Sequence, residues 1–133
     1  MDIKKNAEGY EEITLFETKL KREDYYSATS IEVAYEPDKD RFNIFLWKAG
    51  DTIEKIYGDW DIEEWLFVKL KHGKKLVKLC CDQGNFKSPK GQYNYRHVFE
   101  VLHRLYAEDD DAFYKLKKLM EKNDLPHKFD YYH

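Results

Sequence analysis

His97, Glu100 and His103 recur every third residue, and Glu100-x-x-His103 has the spacing at which a di-iron carboxylate site draws two ligands from one helix. Such a site needs that element twice, with further glutamates from two other helices. This chain has it once. A solvated helix face with an Arg96–Glu100 pair accounts for the same residues. No His-Glu-x-x-His is present, so zinc-protease chemistry has no support. Gly84-Asn85-Phe86-Lys87-Ser88 superficially matches a P-loop, but the Gly-Lys-Ser/Thr ending is missing. Ser27, Ser30 and Ser88 stand outside any nucleophile elbow. Cys80 and Cys81 are the only cysteines, and adjacent thiols neither close a useful loop nor match a zinc-ligand spacing. They read as small, partly buried hydrophobes in a reducing cytosol. His72, beside lysines in a turn, reads as exposed. No catalytic set, metal or cofactor is expected.

What remains for chemistry is the segment Cys81–His97, where two glycines and a proline interrupt regular structure. A connection this long is uncommon in a compact domain unless it is functional or disordered. Asn85, Lys87, Lys90 and Gln92, followed by Tyr93, Asn94, Arg96 and His97, form a candidate anion or ligand site on a loop entering a helix. Backbone N–H groups at a helix start attract anions, and the neighbouring bases add to that field. A phosphate, nucleotide or nucleic acid would suit it, with Tyr93 or Phe86 stacking on a base. The competing reading is a surface loop whose polar groups satisfy its own backbone.

The charges are segregated. The 133-residue chain has a net charge of −3, yet Leu66–Arg104 holds nine Lys or Arg against Asp82 and Glu100, which leaves +7. The remaining 14 bases and 24 acids leave −10. Opposed surface fields of this kind steer charged partners, although lysines on strand faces also serve as plain edge protection. Asp38, Asp40, Asp51, Asp59 and Asp61, with Glu63 and Glu64, cluster in sequence around Tyr57, Trp60 and Trp65. Aromatic anchors dominate interface energies, so Asp38, Asp40, Asp51, Tyr57, Asp59, Trp60, Asp61, Glu63 and Glu64 are the candidate protein-binding set. Gly58-Asp59-Trp60-Asp61 is its expected centre. A small cytoplasmic inhibitor, immunity or anti-defence protein that neutralises a larger basic partner is the leading expectation. Nucleic-acid or nucleotide binding through residues 66–104 is the alternative. Aromatics at 17% argue against disorder. No apolar run approaches the roughly 18 residues of a membrane span, and the N-terminus lacks the apolar centre of a secretory signal.

The elements that must position these residues follow from periodicity. Ile31, Val33 and Tyr35 alternate before Pro37–Asp40, and Phe42, Ile44 and Leu46 alternate after it. A hairpin there pairs Tyr35 with Phe42, Val33 with Ile44 and Ile31 with Leu46. Its opposite face carries Ser30, Glu32, Asn43, Phe45 and Trp47, whose aromatics suggest partial cover. Leu70, Val68 and Leu66 match Val77, Leu79 and Cys81 in that order across a Gly73-Lys74 turn, which predicts a second hairpin over 65–81, with a helix over 61–72 as its rival. Glu11–Leu20 and the segment around Ile53, Ile56 and Tyr57 read as further strands. Helical spacing returns at Tyr95–Tyr106, with Asn94 as N-cap, and at Phe113–Met120. The aromatic tail Lys128–His133 is expected to pack back. The whole reads as one α+β domain over 1–133: an antiparallel meander of five or six strands, then two C-terminal helices on one sheet face.

Overall fold

Long alternating runs in the first half and helical repeats in the second divide the chain into strands and helices. The computed structural model describes Met1–His133, in the order β1 (Lys4–Lys5), β2 (Glu11–Arg22), β3 (Tyr25–Glu36), β4 (Arg41–Gly50), α1 (Asp51–Tyr57) and β5 (Asp61–Lys69). A single 3-10 turn (Leu70–His72) follows, then α2 (Gly73–Gly84), α3 (Arg96–Tyr106), α4 (Ala112–Lys122) and β6 (Lys128–Tyr132). The six strands make one antiparallel sheet in chain order, and the class is α+β. Tyr35 faces Phe42, Val33 faces Ile44 and Ile31 faces Leu46, which is the hairpin register expected from alternation. One slip would have moved all six apolar side chains to the other face.

Two elements correct the sequence reading. Residues 73–84 are a helix, not the second strand of a hairpin. Leu76, Val77, Cys80 and Cys81 fit a buried helical stripe as well as they fit alternation, and burial against α3 and the sheet decides for the helix. Both edges of β5 are taken by β4 and β6, so no strand can pair there. Residues 51–57 are also helical: Ile53, Ile56 and Tyr57 have i, i+3, i+4 spacing, and Asp51 and Glu54 occupy the first turn. Gly50 before it has φ 128°, and a Cβ there would collide with the Tyr26 carbonyl. The helices are therefore not all C-terminal, and the sheet is not a simple meander. The aromatic tail does pack back, as β6, with Phe129 opposite Leu66.

The core lies between the sheet and α2, α3 and α4. Phe42, Ile44, Leu66 and Val68 meet Leu76, Val98, Phe99, Leu102, Phe113 and Leu116, all fully buried. Each such side chain contributes roughly 1.5–3 kcal/mol on leaving water. A bulge at Thr14–Phe16 buries Leu15 and frees its carbonyl, which accepts the Glu108 N–H at 2.8 Å. All three helices take the same side, so the other face of the sheet has no helix over it.

Candidate functional site

Strand alternation sends every second side chain of β3, β4 and β5 to the helix-free face. Glu32, Phe45 and Trp65 form one row across it, Ala34, Asn43 and Phe67 the next, and Ser30, Trp47 and Glu63 a third. The rings of Phe45 and Trp65 stack at 5.5 Å and 26°. Trp47 donates its indole N–H to Asp61 Oδ2 at 3.0 Å. The Arg41 guanidinium lies 3.9 Å above the Phe67 ring while its Nε donates to Glu36 Oε1 at 2.6 Å. This face therefore already shows how it holds a cation, between a carboxylate and a ring.

Asn6 builds a wall beside that face. Its Oδ1 accepts the N–H groups of Glu8 and Tyr10, which fixes the turn between β1 and β2, and its Nδ2 donates to Glu12 Oε2 at 3.3 Å. Between the wall and the sheet lies a cavity of about 440 Å3, lined by Glu12, Glu32, Glu36, Asn43, Phe45 and Trp65 among others. Glu12 and Glu36 are 7% and 5% exposed. Glu36 has Arg41 and Asn43 as donors, whereas Glu12 has only Asn6. Burial, with Glu32 beside it, pushes the Glu12 carboxyl above its ordinary range, and Asn6 and Lys4 offset this in part. Asn43 Oδ1 and Thr14 Oγ1 are buried without a partner. The cavity is thus rich in acceptors and ring faces, a chemistry suited to cations that carry N–H donors. No group of three or more His, Cys, Asp or Glu is placed to hold a metal ion.

The candidate protein-binding residues fall into separate places. Asp38 and Asp40 sit exposed in the β3–β4 turn at one end of the sheet. Asp51, Tyr57, Asp59, Trp60 and Asp61 lie at the other end of β4, about 30 Å away at 3.3 Å per residue. Asp51 accepts the Tyr26 N–H, and Trp60, 46% exposed, stacks on Tyr26 at 5.4 Å. Glu63 points to the helix-free face beside Trp47. Glu64 points the other way and is buried, accepting from the Tyr114 hydroxyl at 2.9 Å and contacting His133 Nε2 at 3.0 Å.

The candidate anion-binding residues also divide. Asn85 ends α2 in the left-handed conformation, φ 53°. Lys87 and Lys90 line a cavity of about 420 Å3 with Arg104 and Glu100. Gln92, Tyr93 and His97 line another, with Lys71, Lys74, Lys75 and Lys78 of the 3-10 turn and α2. Asn94 Oδ1 accepts the Arg96 N–H at 2.9 Å, one residue from the capping position expected of it. Arg96 pairs with Glu11 rather than Glu100: Nε and Nη2 reach the two carboxylate oxygens at 3.1 and 3.3 Å. Its fork is occupied by β2, which lies across α3 in space and far from it in sequence.

Alternation did mark Glu32, Asn43, Phe45 and Trp47 as one strand face, and two aromatics on a polar face were the available signal. Glu36 follows Glu32 on that face by the same alternation, whereas Glu12 reaches the cavity only through the β2–β3 register. Comparison with known proteins returned no matching family model, no matching curated protein and no matching solved structure.

Proposed function

We propose that this is a non-enzymatic binding protein, of inhibitor or immunity type, that captures a basic partner protein through the helix-free face of the sheet. The observation that carries the reading is the cavity in which Glu12 and Glu32 stand beside the stacked Phe45–Trp65 pair. Partner arginines or lysines meet carboxylates and ring faces there, as Arg41 meets Glu36 and Phe67 within the chain. Half-buried aromatics lose little conformational entropy on binding and supply the anchor energy, while the acids select charge. Relative to the set around Trp60, the interface centre moves along the sheet to Trp65.

The test is affinity purification of the intact chain from its native cells beside a Glu32→Gln/Trp65→Ala variant. A basic protein recovered stoichiometrically, and lost about 100-fold in affinity by the variant, is the expected outcome. Recovery of nucleic acid in place of protein, or equal recovery by a folded variant, overturns it.

A further inference from the structure

A second cavity, of about 690 Å3, opens at the end of the sheet where the β3–β4 turn lies. Three segments distant in sequence, 39–41, 67–72 and 126–128, meet there. Arg41 and Lys69 are register partners across β4 and β5, and Phe67 and Lys128 are partners across β5 and β6. Lys71 and His72 come from the 3-10 turn, whose Leu70 N–H is pinned to the Asp40 carbonyl at 2.9 Å. His127 enters from the connection before β6, its Nδ1 held 2.7 Å from the Leu125 carbonyl so that Nε2 is the free ring nitrogen.

No acidic residue lines this cavity. Its lysines, Lys39, Lys69, Lys71 and Lys128, take part in none of the chain's ion pairs, and only Arg41 has an internal counter-charge, in Glu36. Four ammonium groups without an ion-pair partner around one concavity repel one another, and the low-dielectric wall of Phe67 and Pro126 focuses their field. An anion offsets that repulsion, and several closely linked negative charges offset it best. Arg41 adds guanidinium N–H groups beyond the one given to Glu36, in the fork geometry that phosphate oxygens match.

We propose that this cavity binds the phosphate groups of a small polyphosphorylated ligand carrying about four negative charges, matched to its four unpaired lysines. The site adjoins the Glu12–Trp65 cavity on the same face of the sheet, with Lys39 lining both, but its remaining residues are its own and the proposal rests on them alone. It also differs from the Cys81–His97 loop, none of whose residues line it.

The experiment is calorimetric titration of the intact chain with inorganic tripolyphosphate, orthophosphate, a nucleoside triphosphate and a single-stranded oligonucleotide, at about 50 and 200 mM salt. Saturable one-to-one binding of tripolyphosphate, at least about tenfold tighter than orthophosphate, is expected. Lys69→Ala/Lys128→Ala should lose about tenfold or more, while Lys74→Ala/Lys75→Ala, on α2 outside the cavity, should match the parent. A ligand-dependent rise in unfolding temperature, absent in the first variant, reports the same event without relying on heat. Tighter binding of the nucleoside triphosphate than of tripolyphosphate supports the site and adds a base contact. Equal losses in the two double variants, or equal affinity for orthophosphate and tripolyphosphate, reduce the effect to general screening and overturn the proposal. Binding of the oligonucleotide alone overturns it in favour of a nucleic-acid surface.

Discussion

Glu12 is the residue at which stability and the proposed binding pull in opposite directions. Its carboxyl is buried beside Glu32 with one weak donor, so its folded pKa stands above the unfolded value. The sign follows from proton counts: between the two values the folded chain holds the proton more tightly than the unfolded chain does. The resulting stability is present at low pH and is lost as pH rises through the folded value. Glu32 on β3, which raises the value, and Lys4 on β1, which lowers it, are the charges that set this balance. Glu12→Gln is therefore expected to raise the unfolding temperature at pH 7 by about 3 °C, and to flatten the stability profile above pH 4.5. Thermal melts from pH 4 to 8 read both effects, and a lower melting temperature at pH 7 defeats the argument. Glu11 shows the opposite sign. Arg96 and Tyr95 hydrogen-bond its carboxylate and lower its pKa, so the tie between β2 and α3 weakens on acidification. Cys80 is simpler still: burial pushes its thiol to about 12, which leaves almost no thiolate at pH 8. Ellman's reagent should label neither buried cysteine in the native protein and both after unfolding; rapid native labelling would contradict the core position of α2.

At the scale of elements, legibility tracked how local the deciding interactions are. The β3–β4 hairpin could be read to the exact residue pair, because its turn and both strands lie within one short stretch of sequence. Residues 73–84 could not. Alternation and helical spacing both place Leu76, Val77 and Cys81 on plausible apolar faces, and the arbiter is β6, which fills the edge of β5 from the far end of the chain. The same holds for the sites: Phe45 and Trp47 were visible as aromatics on a polar face, but the lysine cavity joins Arg41, Lys69 and Lys128 only through two strand pairings. Gly73 offers a direct check on the helix. A Cβ there would strike the Tyr93 hydroxyl and approach the Phe42 ring, so Gly73→Ala should destabilise by about 1–3 kcal/mol despite alanine's better helix propensity. Denaturant unfolding measures this, and a stabilised variant would mean that α2 does not start against Tyr93.

For the whole molecule, the relevant property is where the charges lie relative to the proposed interface. No helix is long and apolar enough to cross a membrane. The acidic cavity opens on the helix-free face, whereas Lys74 and Lys75 project from α2 on the other side of the sheet. Long-range attraction to a basic partner would be summed over the whole surface, so under the proposed reading these distant lysines slow the encounter from outside the interface. Short-range contacts, by contrast, decide how long the complex lasts. Lys74→Glu/Lys75→Glu changes four charges, taking the formal net charge from −3 to −7. Association with the partner is then expected to quicken by about 2- to 10-fold at low ionic strength, and the gain should vanish near 0.5 M salt, where the screening length falls to about 4 Å. Dissociation should stay as it was, because neither residue lies on the contacting face. Surface plasmon resonance across a salt series separates the two rates. A change confined to dissociation would place α2 inside the interface and move the binding surface off the sheet.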